Sequence, residues 1–368
     1  MPGDVDTLCG YALSDVRKSL RDAIDRRSSR AANRWTAELV ATPGAVGSLW
    51  ASYWLAWAAA QGAGSASPTL PILLRQTWGR IAEKAHDYAG DWIAFRNDAD
   101  VRALASEMTT RLINQSRQTP VVWPSKELIL YDVSAMRDGP HPVAADGPSV
   151  LSVWRRNEDA MEMRMMGGRW LTSLEAGDIR TALSAVAWTL LPQAQQGLAM
   201  PLQVAERGPA SLPPKIRASP LWFWLELGRS WLAKRPEIHR GWPTMHAAIA
   251  DAFKSNYKRW TAVERMRLLL AWILQLRASL LPQPPELWAA GPVEQTGTQI
   301  DLPYKEIAAE LSDPTSSIVR LQKSVAEGKS KVKVEDESKQ AALTRTAAKM
   351  AEADAAVMAA LGLSAEDI

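Results

Sequence analysis

Arg17, Lys18, Arg21, Arg26, Arg27, Arg30 and Arg34 fall within eighteen residues and are offset only by Asp15, Asp22 and Asp25. Cationic side chains at that density can neutralise the phosphates of a polyanion, which makes Arg17, Lys18, Arg21, Arg26, Arg27 and Arg30 candidate DNA-binding residues. A solvated helix face is the other reading of such a run. A net charge of only +3 over 368 residues argues against a chain that wraps nucleic acid by electrostatics alone. Stacking on bases is a second possible chemistry, and it needs exposed rings set among basic residues. Trp50, Trp54 and Trp57, separated by four and three, share one helical face, and Trp222, Trp224 and Trp231 form a second group. The residues between the first three are Ala, Ser, Tyr and Leu, so these rings are expected to fill a core.

Catalytic residues form no recognisable pattern. There is no Gly-x-x-x-x-Gly-Lys-Ser/Thr cradle for nucleotide phosphates, and the glycine pair of "MMGGRW", Met165 to Trp170, reads as a break before a helix. Of the histidines, His86, His141, His239 and His246, the last two are separated by "GWPTM", and a metal site would need further ligands in suitable geometry. They are read as surface or capping residues. Cys9 is the single cysteine, so it has no internal disulfide partner, and a reducing compartment fits it best. No ATPase, metal or nucleophile motif is found and no cofactor is implied. A catalytic site assembled from scattered residues would leave no such trace and stays open as a third reading.

The elements that must position these groups are helices. Leu13, Val16, Leu20, Ala23 and Ile24 recur at three and four, which predicts an amphipathic helix with a basic outer face. Ser28 and Ser29 interrupt it, and Ala31, Ala32, Trp35, Leu39 and Val40 continue the period on a second helix. "TPGAVGS" is a turn by composition, Leu49 through Ala60 a third helix, and further helices are expected over Ile72 to Tyr88 and Asp100 to Arg117. Trp35 and Trp54 are both expected to face the core of this first region. The fold expected is all-α, with an N-terminal helical domain at 1–118, a proline-rich linker at 119–149, a second helical domain at 150–311 and a charged, partly helical tail at 312–368.

The start of the chain, "MPGDVDTLCG", has no basic segment followed by a long apolar run and does not read as a secretory leader. The apolar stretch from Ser48 to Ala60 falls short of the roughly 20 residues that cross a bilayer. Apolar residues at 47% and charged residues at 23% match a soluble globular protein. The expectation is an intracellular protein of the cytoplasm, nucleoid or nucleus with no membrane partner.

"GYALSDVRKSLRDAIDRRSSRAANRWTAELV" resembles the opening of the helical C-terminal region of the replication-associated recombination ATPases, relatives of the DNA polymerase clamp loaders. An aromatic-Ala-Leu-Ser segment, a Lys-Ser pair and an Ala-rich helix containing a Trp and ending in Leu correspond to Tyr11, Ala12, Leu13, Ser14, Lys18, Ser19, Ala31, Trp35 and Leu39. The resemblance covers about 65 residues, lacks the ATPase domain, and departs from the family at Gln61 and Gly62, where an acidic pair is usual. It implies a collar-like role in assembly or DNA-associated scaffolding. "TQIDLPY" looks like the Gln-x-x-Leu-x-hydrophobic peptide that bacterial replication proteins insert into the sliding clamp, which makes Gln299, Ile300, Leu302 and Tyr304 candidate partner-binding residues in a segment expected to be exposed. The function expected is a non-catalytic accessory or scaffold of DNA replication or repair, acting through protein contacts, a sliding clamp or other replisome component among them, and through DNA contacts. The alternative is a helical structural or assembly protein of a virus, phage or other large complex.

Overall fold

The computed structural model describes residues 7–61, 68–116, 147–190, 202–281, 288, 293 and 297–312. The chain is all-α: among these residues helices α1 (Leu13–Asp25), α2 (Ser29–Ala41), α3 (Val46–Ala59), α4 (Thr69–Asp87), α5 (Trp92–Asn97) and α6 (Ala99–Asn114) are followed by α7 (Pro148–Leu151), α8 (Met161–Ala176) and α9 (Ile179–Leu190). The short α10 (Pro214–Arg217) then precedes α11 (Pro220–Ala233), α12 (Gly241–Asn256), α13 (Ala262–Ala278) and α14 (Gly297–Ser312). Most of the proline-rich segment at 119–149 and nearly all of the charged tail lie outside the described residues.

α3 organises the molecule. From Leu49 to Ala58 every residue is buried, and a helix that is apolar on all faces must be covered on all sides. α1, α2, α4 and α6 cover it from the N-terminal side of the sequence, and α12 and α13 from the other. Trp50 donates from Nε1 to the Leu74 carbonyl at 2.9 Å, and Trp260 donates to the Ala51 carbonyl at 3.2 Å. Buried side chains from Val16 to Ala278 therefore form one continuous cluster. Gln275 donates to Gln61 at 2.6 Å, and Arg75 pairs with Asp251 at 2.8 Å, so polar contacts also join the two stretches. Among the described residues no helix is long and apolar enough to cross a membrane.

Trp50, Trp54 and Trp57 are buried as the spacing predicts. Trp35 is not their equal. It is half-buried at the edge, with the Tyr11 ring edge-on at 5.5 Å and the Arg34 guanidinium 5.8 Å from its centroid. The inner face of α2 is instead Ala32, Thr36, Leu39 and Val40. Thr36 contributes to a buried hydroxyl cluster in which Tyr53 and Thr109 lie 2.7 Å apart, Thr36 and Thr109 2.8 Å apart, and the Tyr53 hydroxyl donates to the Ala105 carbonyl at 3.0 Å. Polar groups so paired can be buried without a desolvation penalty left over.

Around α8 and α11 the second tryptophan group completes the core. Trp170 stacks on Trp272 with centroids 5.6 Å apart and planes 11° apart, and Trp224 meets Trp170 edge-on at 5.7 Å. The Gly167–Gly168 pair is not a break: both lie buried inside α8. A Cβ at Gly167 would stand 3.3–3.4 Å from Leu227, Phe223 and Val150, so the glycine is there for close packing. Asp159 and Arg207, both with wholly buried side chains, pin the 202–208 segment to the turn before α8.

His246 is neither a surface nor a capping residue. It is buried in α12, its Nδ1 accepts from Trp272 Nε1 at 2.9 Å, and the ring also bonds the Leu225 backbone. Burial, with Arg229 nearby, pushes its pKa down to about 4. The unfolded chain, with a value near 6.5, takes up the proton first. Stability is therefore complete above about pH 6.5 and falls by about 3 kcal/mol as the pH drops toward 4. Urea unfolding at pH 7 and pH 4.5 should show this loss. His246→Gln, which can keep an acceptor for Trp272 and a donor for Leu225, should flatten the pH slope; an unchanged slope would assign it to other groups.

Candidate partner-binding surface

α1 ends in a left-handed turn. Arg27, at φ +56°, donates its N–H to the Ile24 carbonyl at 3.0 Å, and Ser28 donates to Ala23 at 2.9 Å, the paired bonds that close a helix C-terminus. The turn sends α2 back across α1. A second turn, Thr7 to Tyr11, closes with Gly10 at φ +77° and sits against the last part of α2. Its anchor is Glu38, whose side chain is wholly buried and accepts from the Cys9 N–H at 2.8 Å and from Arg34 at 2.9 Å.

Arg34 is the hub. Four residues before Glu38 and so on the same helical face, it also pairs with Glu310 of α14 and reaches the Cys9 sulfur at 3.8 Å. Tyr11 donates its hydroxyl to the other Glu310 oxygen at 2.7 Å. Nearby, Arg30 pairs with Glu306 at 2.9 Å. From α6, Arg102 pairs with Asp301 at 3.2 Å and lies 4.2 Å from the Tyr304 ring centroid. Beneath these pairs Cys9, Ala37 and Ile307 form a small apolar cluster of their own, flanked by Leu8, Tyr11, Tyr304 and Leu311. α14 thus rests on α2, α6 and the N-terminal turn.

Burial, reinforced by the Glu38 carboxylate, pushes the Cys9 thiol up to about 12, which keeps it protonated and unreactive. The Tyr11 phenol is pushed up to about 12 by burial and by Glu310. Arg34 moves the other way from what burial alone would do, because Glu38 and Glu310 hold its charge. These groups recognise charge and shape; none is poised as a nucleophile or base. Among the described residues no group of three or more His, Cys, Asp or Glu is arranged to hold a metal ion.

The candidate cations do not all face solvent. Arg21 pairs with Glu264 of α13 at 2.7 Å, and Glu264 also completes the capping box of that helix with Thr261. Arg17 is half-buried beside it, its Nε buried without a hydrogen-bond partner among the described residues, and burial lowers its pKa. Lys18 is half-buried and Arg26 exposed at the end of α1. Arg27 reaches toward the Gln115 carbonyl at 3.5 Å, and Arg30 is 83% exposed despite its bond to Glu306.

The second set of candidates lies in α14. Gln299, Ile300, Leu302 and Tyr304 are helical, not extended, and the Gln299 side chain lies outside the described residues. Leu302 is 48% exposed, Ile300 half-buried, and the Tyr304 hydroxyl is buried without a hydrogen-bond partner among the described residues. Sequence reading passed over Cys9, Tyr11, Glu38, Glu306 and Glu310 as a unit. The four-residue spacings of Arg30 with Arg34 and of Glu306 with Glu310 were the available signal. No family model, curated protein or solved structure matches the chain.

Proposed function

We propose that this chain is a non-catalytic scaffold or accessory protein that works through helix-mediated protein contacts, in the DNA replication or repair setting that its N-terminal resemblance implies. The observation that supports protein over nucleic acid as the main partner is the docking of α14: the arginines of the surface are answered by carboxylates of the same chain, Arg30 by Glu306, Arg34 by Glu310 and Arg102 by Asp301. A DNA phosphate would have to displace Glu306 from Arg30 and Glu264 from Arg21. A clamp-type contact through Tyr304 would require that side chain to leave its place over Arg102.

Cross-linking in the native source, followed by mass spectrometry, tests this. Replication or repair proteins joined to residues of α2, α6 or α14 are the expected result; virion or other large-assembly components would replace this reading with a structural one. Anisotropy of a labelled forked duplex at two salt concentrations is the second arm. Weak binding little changed by Arg21, Arg26, Arg27 and Arg30→Glu is expected. Tight, salt-dependent binding lost in that variant would make DNA the primary partner.

A further inference from the structure

We infer that the groove formed by α2, α6 and the Thr7–Tyr11 turn is a docking site for an acidic amphipathic helix of a protein partner, and that α14 fills it in cis as a competitor. This rests on the protein-contact reading above and names the chemistry of the partner. The occupant already present defines what fits. Carboxylates at Asp301, Glu306 and Glu310 meet Arg102, Arg30 and Arg34, while Tyr304 and Ile307, three residues apart, turn their side chains inward between them.

α14 belongs to the fold differently from the other helices. Its buried aliphatic anchor, Ile307, packs in a cluster of three residues separate from the main core. Tyr304 reaches the edge of the main core as a partly buried ring, and the rest of the grip is ionic, running from the well-covered Arg34–Glu310 pair to exposed ends at Asp301 and Arg30, 47% and 83% exposed. Such pairs are individually weak and are screened by salt. The fit is also imperfect, because the Tyr304 hydroxyl is buried without a hydrogen-bond partner among the described residues, an arrangement a buried polar group resists. A partner helix with the same acidic spacing but Phe or Leu at the tyrosine position would suit the groove better than α14 does. When α14 leaves, Arg34 remains held by Glu38 at 2.9 Å and still presents its second nitrogen to the groove. The receptor is therefore preformed.

A fluorescein-labelled peptide of residues 297–312 carrying Tyr304→Phe, titrated with the full-length protein, tests the inference by anisotropy. A full-length Ile307→Asp, Glu310→Arg variant, in which α14 is expelled, should bind the peptide at least about tenfold more tightly than the wild type. Raising salt from about 0.05 to 0.5 M should weaken that binding, and adding Arg34→Glu should abolish it. Equal affinity for wild type and variant, or no binding to either, overturns the proposal. Hydrogen exchange on the wild type guards against a variant that fails to fold. The α14 amides should exchange at least about tenfold faster than those of α3, and slow in Tyr304→Phe; protection equal to that of α3 would show that the helix does not leave. Peptide binding in vitro with only virion or DNA partners in the native source would sink the function proposed above and leave the groove intact.

Discussion

Trp54→Ala is expected to lower the unfolding free energy of the full-length protein by about 3–5 kcal/mol, and Trp35→Ala by less than half as much. Trp54 is 2% exposed on a helix buried on every face, and it meets Trp57 edge-on at 5.9 Å. Removing an indole there opens a cavity inside a helix that six others cover, and its neighbours cannot close it without losing contacts of their own. Trp35 loses an edge contact with Tyr11 and a cation-π contact with Arg34, and water can occupy part of the space it leaves. Urea denaturation of both variants checks the contrast. Equal midpoint shifts would contradict the placement of Trp35 at the rim, and near-normal stability of Trp54→Ala would contradict the core itself. The full chain is the proper object, because a 1–118 fragment would leave uncovered the side of α3 and α4 that packs on α12 and α13.

Asp159→Ala should be comparably damaging, at about 3–5 kcal/mol, because it leaves the Arg207 guanidinium buried without its main counter-charge. Arg207 donates to both Asp159 oxygens, to Glu226 at 3.0 Å and to the Val153 carbonyl at 2.9 Å. Asp159 in turn accepts from the Ala205 and Arg155 N–H groups at 2.8 and 2.7 Å. Every polar atom of the pair has a use, so truncation strands donors of three residues, Arg155, Ala205 and Arg207, at once. Arg207→Lys is also expected to destabilise by several kcal/mol, since an ammonium cannot reproduce the planar fork. Burial would raise the Asp159 pKa, but Arg207 and the two backbone donors hold it below the usual carboxylate value. Its contribution is therefore present above about pH 4 and is lost as the pH falls further. Denaturant midpoints at pH 7 for the three proteins, with the wild type and Asp159→Ala repeated at pH 3 so that the His246 loss cancels between them, measure this. A loss under about 1 kcal/mol for Asp159→Ala would mean that the segment does not depend on the pair.

The helical class and the extent of several helices were legible in the sequence because each depends on neighbours within one or two turns. The three-and-four spacing from Leu13 to Ile24 produced α1, and the Ser28–Ser29 interruption fell at the turn into α2. The apolar run at α3 announced a buried helix. Local rules also misled at two places. Gly167–Gly168 suggested a break, yet close approach of α11 favours small residues inside α8. The peptide around Gln299 was expected to be exposed; Leu302 is, at 48%, yet the segment is helical through Pro303 and docks its other face on α2.

Pairing across the chain was decided only by tertiary structure. A helix's periodicity says that it has an apolar face and leaves open which helix will cover it, so nothing local joined α3 to α13 or α4 to α12. Charge partners follow the same logic. Arg34 and Glu38 are four residues apart and could be paired by eye, whereas Glu264 lies 243 residues from Arg21 and Glu310 lies 276 from Arg34. Hence the basic run could be read as a run of cations, while the carboxylates that engage Arg21, Arg30 and Arg34, and the buried setting of Cys9 and Tyr304, exist only once the helices have packed.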